Sequence, residues 1–297
     1  MRFFLHGLLF FICLPLAGQE ASVLEEQIAE LQTSLAEGET EKERLESSEA
    51  IAKAIKEAAE VEGIFSHPFD KLVNIGVLES GDGEFRLFNW NVPMDGDRFT
   101  YRAILLFSDG DVVELKDSLE LTREMETRLL NANEWYGALY YEIHPVKTRK
   151  RKYYTLVGWD GNNSLSNKKV LDALVIDKNQ NVSLGLDVFQ DDGLYKRRRV
   201  FEYSDKVIMT LRYVNPKEAI VFDVLEPLQA GLKGQYQFYG PSTVYSGYIL
   251  EKDGTWRLEE VMDMTRPQDA ESGAQFNFPA RPDINRQRKK VNPLTGQ

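Results

Sequence analysis

Short runs of aromatic and β-branched residues alternate with polar turns from about residue 65 to residue 263. Such runs are typical of β-strands, in which successive side chains point to opposite faces. Two runs have apolar residues at every second position and so predict one buried face each: Val182, Leu184, Leu186 and Val188, and Val207, Met209, Leu211 and Tyr213. One internal segment differs, because Leu121, Met125 and Leu129 recur at helical spacing and predict a helix over residues 119–133.

Residues that favour tight turns separate the runs at positions 81–83, 109–110, 179–181 and 253–254. Strand starts recur roughly every ten residues without a long helical crossover, which favours an antiparallel meander. So many strands must be closed or stacked to protect their edges. The sequence therefore predicts an all-β domain over residues 63–264, built as a propeller-like array, an open or closed multi-strand sheet, or a two-sheet sandwich. The likeness of FRLFNWNVPMDG to YYTLVGWDGNN favours the repeated, propeller-like form.

An amphipathic helical segment precedes this domain, at residues 20–62. Its apolar residues are spaced to line one face of a helix: Leu24, Ile28, Leu31 and Leu35. This stripe lasts about two heptads, short of the three or four that a stable coiled coil needs. It predicts a helix or helical hairpin that packs on the β-domain. The alternatives are a short coiled coil that self-associates through the stripe, and a disordered stalk.

Both ends of the chain have the composition of segments outside a folded domain. Arg2, an apolar run to Leu16 and the small residues Ala17 and Gly18 predict a signal peptide at residues 1–19. The run is shorter than the roughly 20 apolar residues of a membrane-spanning helix. Residues 265–297 are basic and lack periodicity, which predicts a disordered tail. The protein is then exported to the periplasm, the outer membrane or the extracellular space.

Charge and cysteine content exclude several classes of function. The net charge is −11, and an acidic exported chain is a poor general binder of nucleic acid. The single cysteine, Cys13, lies inside the predicted signal peptide. The mature chain then has no thiol for a disulfide, a nucleophile or a metal site. No motif indicates a cofactor, since the sequence has no Gly-rich phosphate loop and no Gly-x-Ser-x-Gly nucleophile.

Four strings are distinctive: FRLFNWNVP, WYGALYY, KYYTLVGWDGNN and LKGQYQFYGPS. They resemble a group of uncharacterised exported β-rich proteins of Bacteroidota-type bacteria. The resemblance covers about residues 65–262, and it implies an envelope or secreted setting without implying an activity.

Asp160 opens the polar stretch DGNNS, which places oxygen-bearing side chains at alternate positions, as calcium loops do. An EF-hand loop that begins there needs glycine at its sixth position and glutamate at its twelfth, where Leu165 and Leu171 stand. The stretch therefore predicts a turn between strands, with Asp160 kept as a weak metal candidate. His67 and His144 each precede a proline and are interpreted as polar junction residues.

Two basic runs contrast with the acidic background: Arg149, Lys150, Arg151 and Lys152, and Lys196, Arg197, Arg198 and Arg199. Aromatic residues border each run, and Trp159 is a candidate for stacking on a sugar. The hypothesis is that the two runs lie near each other and bind an anion such as an acidic glycan or lipopolysaccharide. The alternative is that they are charged turns and strand edges that prevent aggregation of sheets.

The leading interpretation is an exported, non-catalytic β-domain that binds an envelope protein or an anionic ligand. A second is a secreted hydrolase of glycans that uses a carboxylate pair, with Asp191–Asp192 and Glu259–Glu260 as candidates. A third is a structural or assembly factor that acts through its N-terminal helix.

Overall fold

The computed structural model describes residues 14–262. Residues 1–13 of the predicted signal peptide and the predicted tail at 265–297 lie outside this range. Two α-helices come first, α1 (Leu14–Glu37) and α2 (Glu41–Ala58). The strands follow in this order: β1 (Gly76–Glu79), β2 (Phe85–Met94), β3 (Arg98–Phe107), β4 (Val112–Lys116), β5 (Leu130–Asn131), β6 (Leu139–Lys147), β7 (Lys152–Asp160), β8 (Ser166–Ile176), β9 (Val182–Leu184), β10 (Phe189–Asp191), β11 (Leu194–Lys196), β12 (Arg198–Ser204), β13 (Leu211–Val214), β14 (Ala219–Pro227), β15 (Tyr239–Leu250) and β16 (Trp256–Met262).

The strands form three sheets. The first is the meander β1-β2-β3-β4, and the second has the order β5-β9-β8-β7-β6, with β12 paired to the free part of β8. The third has the order β11-β10-β16-β15-β14-β13. The pairing of β10 with β16 is parallel, and the other ladders between strands are antiparallel. The prediction of a mostly β, antiparallel domain behind a helical segment is confirmed, with three sheets where the sandwich alternative has two.

The sheets stack face to face, because the central strands of the second sheet, β7 and β8, are buried on both sides. On β7, Tyr154 and Leu156 face the first sheet, while Tyr153 and Val157 face the third. The ring of Phe85 from β2 meets the ring of Tyr154 edge-on, with centroids 4.8 Å apart. Such contacts place the second sheet in the middle of the stack, where burial of both faces removes the most apolar surface from water.

The N-terminal segment forms a helical hairpin on the outer face of the first sheet. Gly38 ends α1, and Thr40 begins α2 with a capping box to Glu43. Ile28 of α1 is fully buried in the same cluster as Trp90 of β2, whose indole N–H donates to Ser48 Oγ of α2 at 2.9 Å. Neither helix within residues 14–262 has an apolar stretch long enough to cross a bilayer.

The leucine stripe of α1 packs inside this hairpin. Ile28 and Leu35 are buried, and Leu24 and Leu31 are partly buried against the same cluster. The N-terminal segment therefore forms the predicted helical hairpin on the β-domain. Self-association through the stripe stays a prediction, and it requires the hairpin to open.

The predicted helix at residues 119–133 is wrong. Only a short 3₁₀ turn forms there, at Arg123–Thr127, followed by β5. Backbone carbonyls that an α-helix would use internally accept hydrogen bonds from buried cations instead. Lys168 Nζ donates to Leu121 O, and Arg198 donates to Met125 O and Arg128 O. Tertiary contacts thus override the helical spacing of this segment.

One predicted face is also wrong, and one predicted strand is shorter than its run. Leu186 and Val188 do not continue the face of Val182 and Leu184, because the strand breaks at Gly185, whose φ is +100°. A Cβ at this glycine would lie 2.7 Å from Arg128 O, so only glycine fits. The run that begins at residue 207 forms a strand only from Leu211 onward. Its four apolar residues nevertheless pack against one core cluster, as predicted: Val207, Met209, Leu211 and Tyr213. Sequence alternation continues through both breaks, which is why it does not reveal them.

Candidate anion-binding site

The turn between β6 and β7 carries the exposed part of the first basic run. Thr148 closes this turn, since its N–H donates to Arg151 O at 2.8 Å and its Oγ1 accepts the Arg151 N–H at 3.0 Å. Arg149 and Lys150 occupy the tip and are exposed. Neither side chain forms an ion pair with any of the residues that the structure describes. The turn therefore presents two uncompensated cations on a fixed backbone.

This turn rests on the hairpin turn between β15 and β16. Tyr153, the second residue of β7, donates its hydroxyl to Gly254 O at 2.8 Å. A Cβ at Gly254 would lie 3.0 Å from Thr148 Cγ2, and the φ of Gly254 is +82°. Both observations favour glycine at this position. The two turns are in direct contact, so the core of the second and third sheets positions the cationic tip.

The structure brings one arginine of each basic run to the same residue. Arg151 Nη1 donates to the backbone oxygen of Asp187 at 3.5 Å, and Arg197 Nη2 lies 2.8 Å from Asp187 Oδ2. Asp187 belongs to the loop between β9 and β10, about half exposed at its side chain. The two runs therefore do lie near each other, as the sequence hypothesis requires.

Lys152 points away from this site, towards the first sheet. Its ammonium forms ion pairs with Asp82, at 3.1 Å, and with Glu84 in the β1–β2 turn. Partial burial acts to lower the pKa of Lys152, but hydrogen bonds and charge from Glu84 and Asp82 outweigh it and raise the pKa. Lys152 thus links two sheets through neutralised charge.

Arg198 is fully buried. Its Nε donates to Asp172 Oδ2 at 2.8 Å, and both side chains are 0% exposed. Tyr136 donates to the same carboxylate oxygen at 2.8 Å, and Arg198 Nη2 donates to Leu184 O at 3.1 Å. Burial acts to raise the pKa of Asp172, against the lowering effect of the guanidinium beside it. This ion pair belongs to the core and is inaccessible to a ligand.

The two remaining cations of the second run are also neutralised. Lys196 and Arg199 both contact the carboxylates of Glu126 and Asp191. Burial acts to raise the pKa of Glu126, but the charge of Arg199 and the hydrogen bond from Lys196 lower it overall. The second run is therefore mainly a structural clamp between β12 and the segment before β5, and Arg197 is its member at the surface site.

Trp159 and Asp160 lie at the far end of β7, roughly 23 Å along the strand from Lys152. Trp159 packs edge-on against Phe99, with ring centroids 5.9 Å apart. Asp160 is buried and accepts hydrogen bonds from the Tyr101 hydroxyl at 3.0 Å and from Asn162 N–H at 2.8 Å. The predicted turn after Asp160 is confirmed, and the structure does not bring Trp159 to the basic site.

The histidines and carboxylates singled out in the sequence also have local partners. His67 Nε2 lies 2.8 Å from Glu25, and His144 Nε2 lies 2.9 Å from Glu142. Arg257 pairs with Glu259, and Asp191 belongs to the clamp of the second run. Within residues 14–262, no group of three or more histidine, cysteine, aspartate or glutamate side chains is arranged to hold a metal ion.

Sequence reasoning missed Lys169, a buried lysine on β8 that lies between the second and third sheets. Its Nζ donates to the Tyr141 hydroxyl at 3.0 Å and lies 4.7 Å from the centre of that ring. Burial lowers the pKa of Lys169 to about 8, although Glu142 and Asp223 act to raise it. The only signal in the sequence is its position at the start of the mostly apolar stretch 170–176.

We expect Lys169 to make the free energy of unfolding increase as the pH rises from 8 to 9.5. The folded pKa lies below that of the unfolded chain, so the unfolded state binds more protons in this window and loses them as pH increases. The free energy of unfolding should increase by about 1–2 kcal/mol more in the wild type than in Lys169→Met. Urea titrations at several pH values measure this difference. Parallel pH profiles for the two proteins would contradict it.

Comparisons with known proteins identify no relative. No protein-family model matches the chain, and neither a curated protein nor a solved structure matches it. The resemblance to exported proteins of Bacteroidota-type bacteria therefore stays a prediction. Function has to be inferred from the side chains of the site.

Proposed function

We propose that the protein is an exported, non-catalytic module that binds an acidic glycan or lipopolysaccharide in the bacterial envelope. The observation that carries this proposal is the cationic tip of the β6–β7 turn. Arg149 and Lys150 are exposed there without an acidic partner among the described residues, next to Arg151 and Arg197. Of the six remaining cations of the two runs, five have carboxylate partners and Arg151 donates to the backbone oxygen of Asp187. The tip is therefore where an external anion meets uncompensated charge.

The contacts at the tip also indicate how binding works. The turn is fixed by Thr148 and by the neighbouring Gly254 turn, while the long cationic side chains stay solvated. Each exposed ion pair contributes about 0.2–1 kcal/mol, so affinity depends on several charges of a polyanion acting together. Screening acts over about 8 Å at 0.15 M salt, so binding weakens steeply as salt increases.

We also propose that the three sheets are successive blades of a propeller-like array. The support comes from connectivity: strands β1–β4, β6–β9 and β13–β16 are each consecutive along the chain and hydrogen-bonded in order. The two similar segments of the sequence begin at Phe85 and Tyr153, and each covers most of the second strand in its meander. In this arrangement the turns that follow the first strand of each meander gather at one rim, which holds the cationic tip.

The test is a double charge reversal at the tip. Arg149→Glu with Lys150→Glu should weaken binding to polygalacturonate or lipopolysaccharide about tenfold at low salt, because attraction becomes repulsion at two positions. Lys42→Glu with Lys53→Glu makes the same change in net charge on the exposed face of α2 and should leave affinity within about twofold. Isothermal titration calorimetry measures both. An equal loss of affinity in the two double variants would contradict the proposal. So would the absence of binding by the wild type at low salt.

A further inference from the structure

Strand β15 extends beyond the end of its neighbour β16. Residues 245–250 of β15 pair with β16, and the last pair joins Tyr245 to Met262. Residues 239–244, here named the β15 overhang, continue past this point beside β14. Within residues 14–262, no strand pairs with the other side of the overhang. A free strand edge of this kind is a place where another extended segment can add.

Exposed apolar side chains flank the overhang. Leu228 and Phe238 lie at its start, and Leu228 N–H donates to Phe238 O at 2.9 Å. Leu228 packs over Gly240, at which a Cβ would lie 2.9 Å from Leu228 Cδ2. Val244 and Tyr245 lie at its other end, and these four exposed side chains have between 36% and 57% of their surface accessible. Apolar side chains that remain exposed together mark a surface that contacts another segment or molecule.

The described part of the chain ends beside this surface. Met262 is its last residue, and residues 263–297 follow. Within them, residues 272–280 carry no charge, although charged residues stand directly on both sides. This uncharged segment contains the only two aromatic residues after Met262, which are Phe276 and Phe278. At a spacing of two, their side chains share one face of an extended chain.

The length of chain between Met262 and Phe276 fits the distance to be covered. A flexible chain of this length has a mean end-to-end distance of about 20 Å. The overhang lies within about 20 Å of Met262, since each residue of a strand advances about 3.3 Å. A linker whose mean length matches the span gives the tethered segment its highest effective concentration, on the order of millimolar. Weak apolar contacts are therefore sufficient to hold the segment in place.

We propose that residues 275–279 dock in extended form on the β15 overhang of their own chain. Phe276 and Phe278 cover the exposed apolar side chains, and the segment shields the free edge from pairing with other molecules. The predicted disorder of the tail then holds only outside these five residues. The overhang lies at the opposite end of β15 from the Gly254 turn, roughly 30 Å along the strand. Docking there is independent of anion binding at the cationic tip.

A nitroxide spin label at position 277 tests this contact. Asn277→Cys is made in a Cys13→Ser background, so that the label has a single attachment site. In the full-length, ¹⁵N-labelled chain, the label should broaden the amide resonances of residues 238–245. Resonances of residues 148–151, at the cationic tip, should keep their intensity. Absence of broadening at residues 238–245 would overturn the proposal.

Phe276→Ser with Phe278→Ser, made in the spin-labelled chain, should remove most of this broadening. The ratio of docked to free segment should fall at least about tenfold, because both buried aromatic side chains are lost. Ile284→Ser with Leu294→Ser is the matched control, since it removes two apolar side chains from the same tail. This control should broaden residues 238–245 as the parent chain does. Broadening that survives the loss of both phenylalanines, or that is lost equally in the control, contradicts their role as anchors.

A mixture of chains shows whether the segment docks on its own chain or on a second copy. Spin-labelled chain without ¹⁵N is mixed with an equal amount of ¹⁵N-labelled chain without a spin label. Docking within one chain predicts no broadening in this mixture. Broadening of residues 238–245 in the mixture would place the segment on a second copy and overturn the proposal.

Discussion

Arg198→Met is expected to destabilise the protein by about 3–5 kcal/mol, because it leaves the carboxylate of Asp172 buried without its cation. Both side chains are 0% exposed. The substitution also removes hydrogen bonds to the carbonyls of Met125, Arg128 and Leu184. Urea denaturation followed by circular dichroism measures the change in the free energy of unfolding.

Arg197→Met is the matched control for this experiment. Arg197 is the preceding residue in the same basic run, but its side chain is 26% exposed and its partner Asp187 is 51% exposed. A pair so accessible to solvent contributes about 0–1 kcal/mol, so this variant should unfold nearly as the wild type does. If Arg197→Met and Arg198→Met lowered the free energy of unfolding by similar amounts, the burial of Arg198 would not explain its effect on stability.

Ile28→Ala is expected to destabilise the protein by about 2–5 kcal/mol, since it opens a cavity between the helical hairpin and the first sheet. Ile28 is 0% exposed, in the same cluster as Ile51 of α2 and Trp90 of β2. Thermal and urea unfolding of the variant measure the loss. We expect this loss of stability because Ile28 packs against residues of its own chain.

Val23→Ala serves as the control on the same helix, because Val23 is 62% exposed. Its effect should stay within about 0.5 kcal/mol. Size-exclusion chromatography of both variants adds a second readout. If Ile28→Ala left stability unchanged and shifted the oligomeric state instead, the stripe would be an interface between copies and not part of the hairpin.

The sequence was sufficient to predict local structure wherever one physical effect dominates. Alternation and turn residues predict most strands, and the stripe at Ile28 predicts the face of α1 that is buried. The assignment of strands to sheets could not be predicted, because pairings such as β10 with β16 join residues far apart in the chain. The break at Gly185 depends on the proximity of Arg128 O, which alternation does not encode.

The candidate site was predictable only in part. A run of cations in an acidic chain indicates an exposed surface, and this holds for Arg149 and Lys150. It fails for Arg198, because its burial depends on Asp172, a partner in another strand. Lys169 gave only a weak signal, since it stands beside Lys168 at the start of a mostly apolar stretch. Its importance depends on the hydrogen bond to the Tyr141 hydroxyl, which is a property of the tertiary structure.

Amide chemical-shift mapping tests most directly the claim that the cationic tip is the ligand site. A short acidic oligosaccharide such as trigalacturonate is titrated into ²H,¹⁵N-labelled protein at low salt. The largest shifts should fall on residues 148–151, on Asp187 and on Gly254, and they should disappear in Arg149→Glu with Lys150→Glu. Resonances of Trp159 and Asn163, at the far end of β7, should stay unchanged. Shifts that cluster at that far end, or on α2, with an unaffected β6–β7 turn would contradict the account.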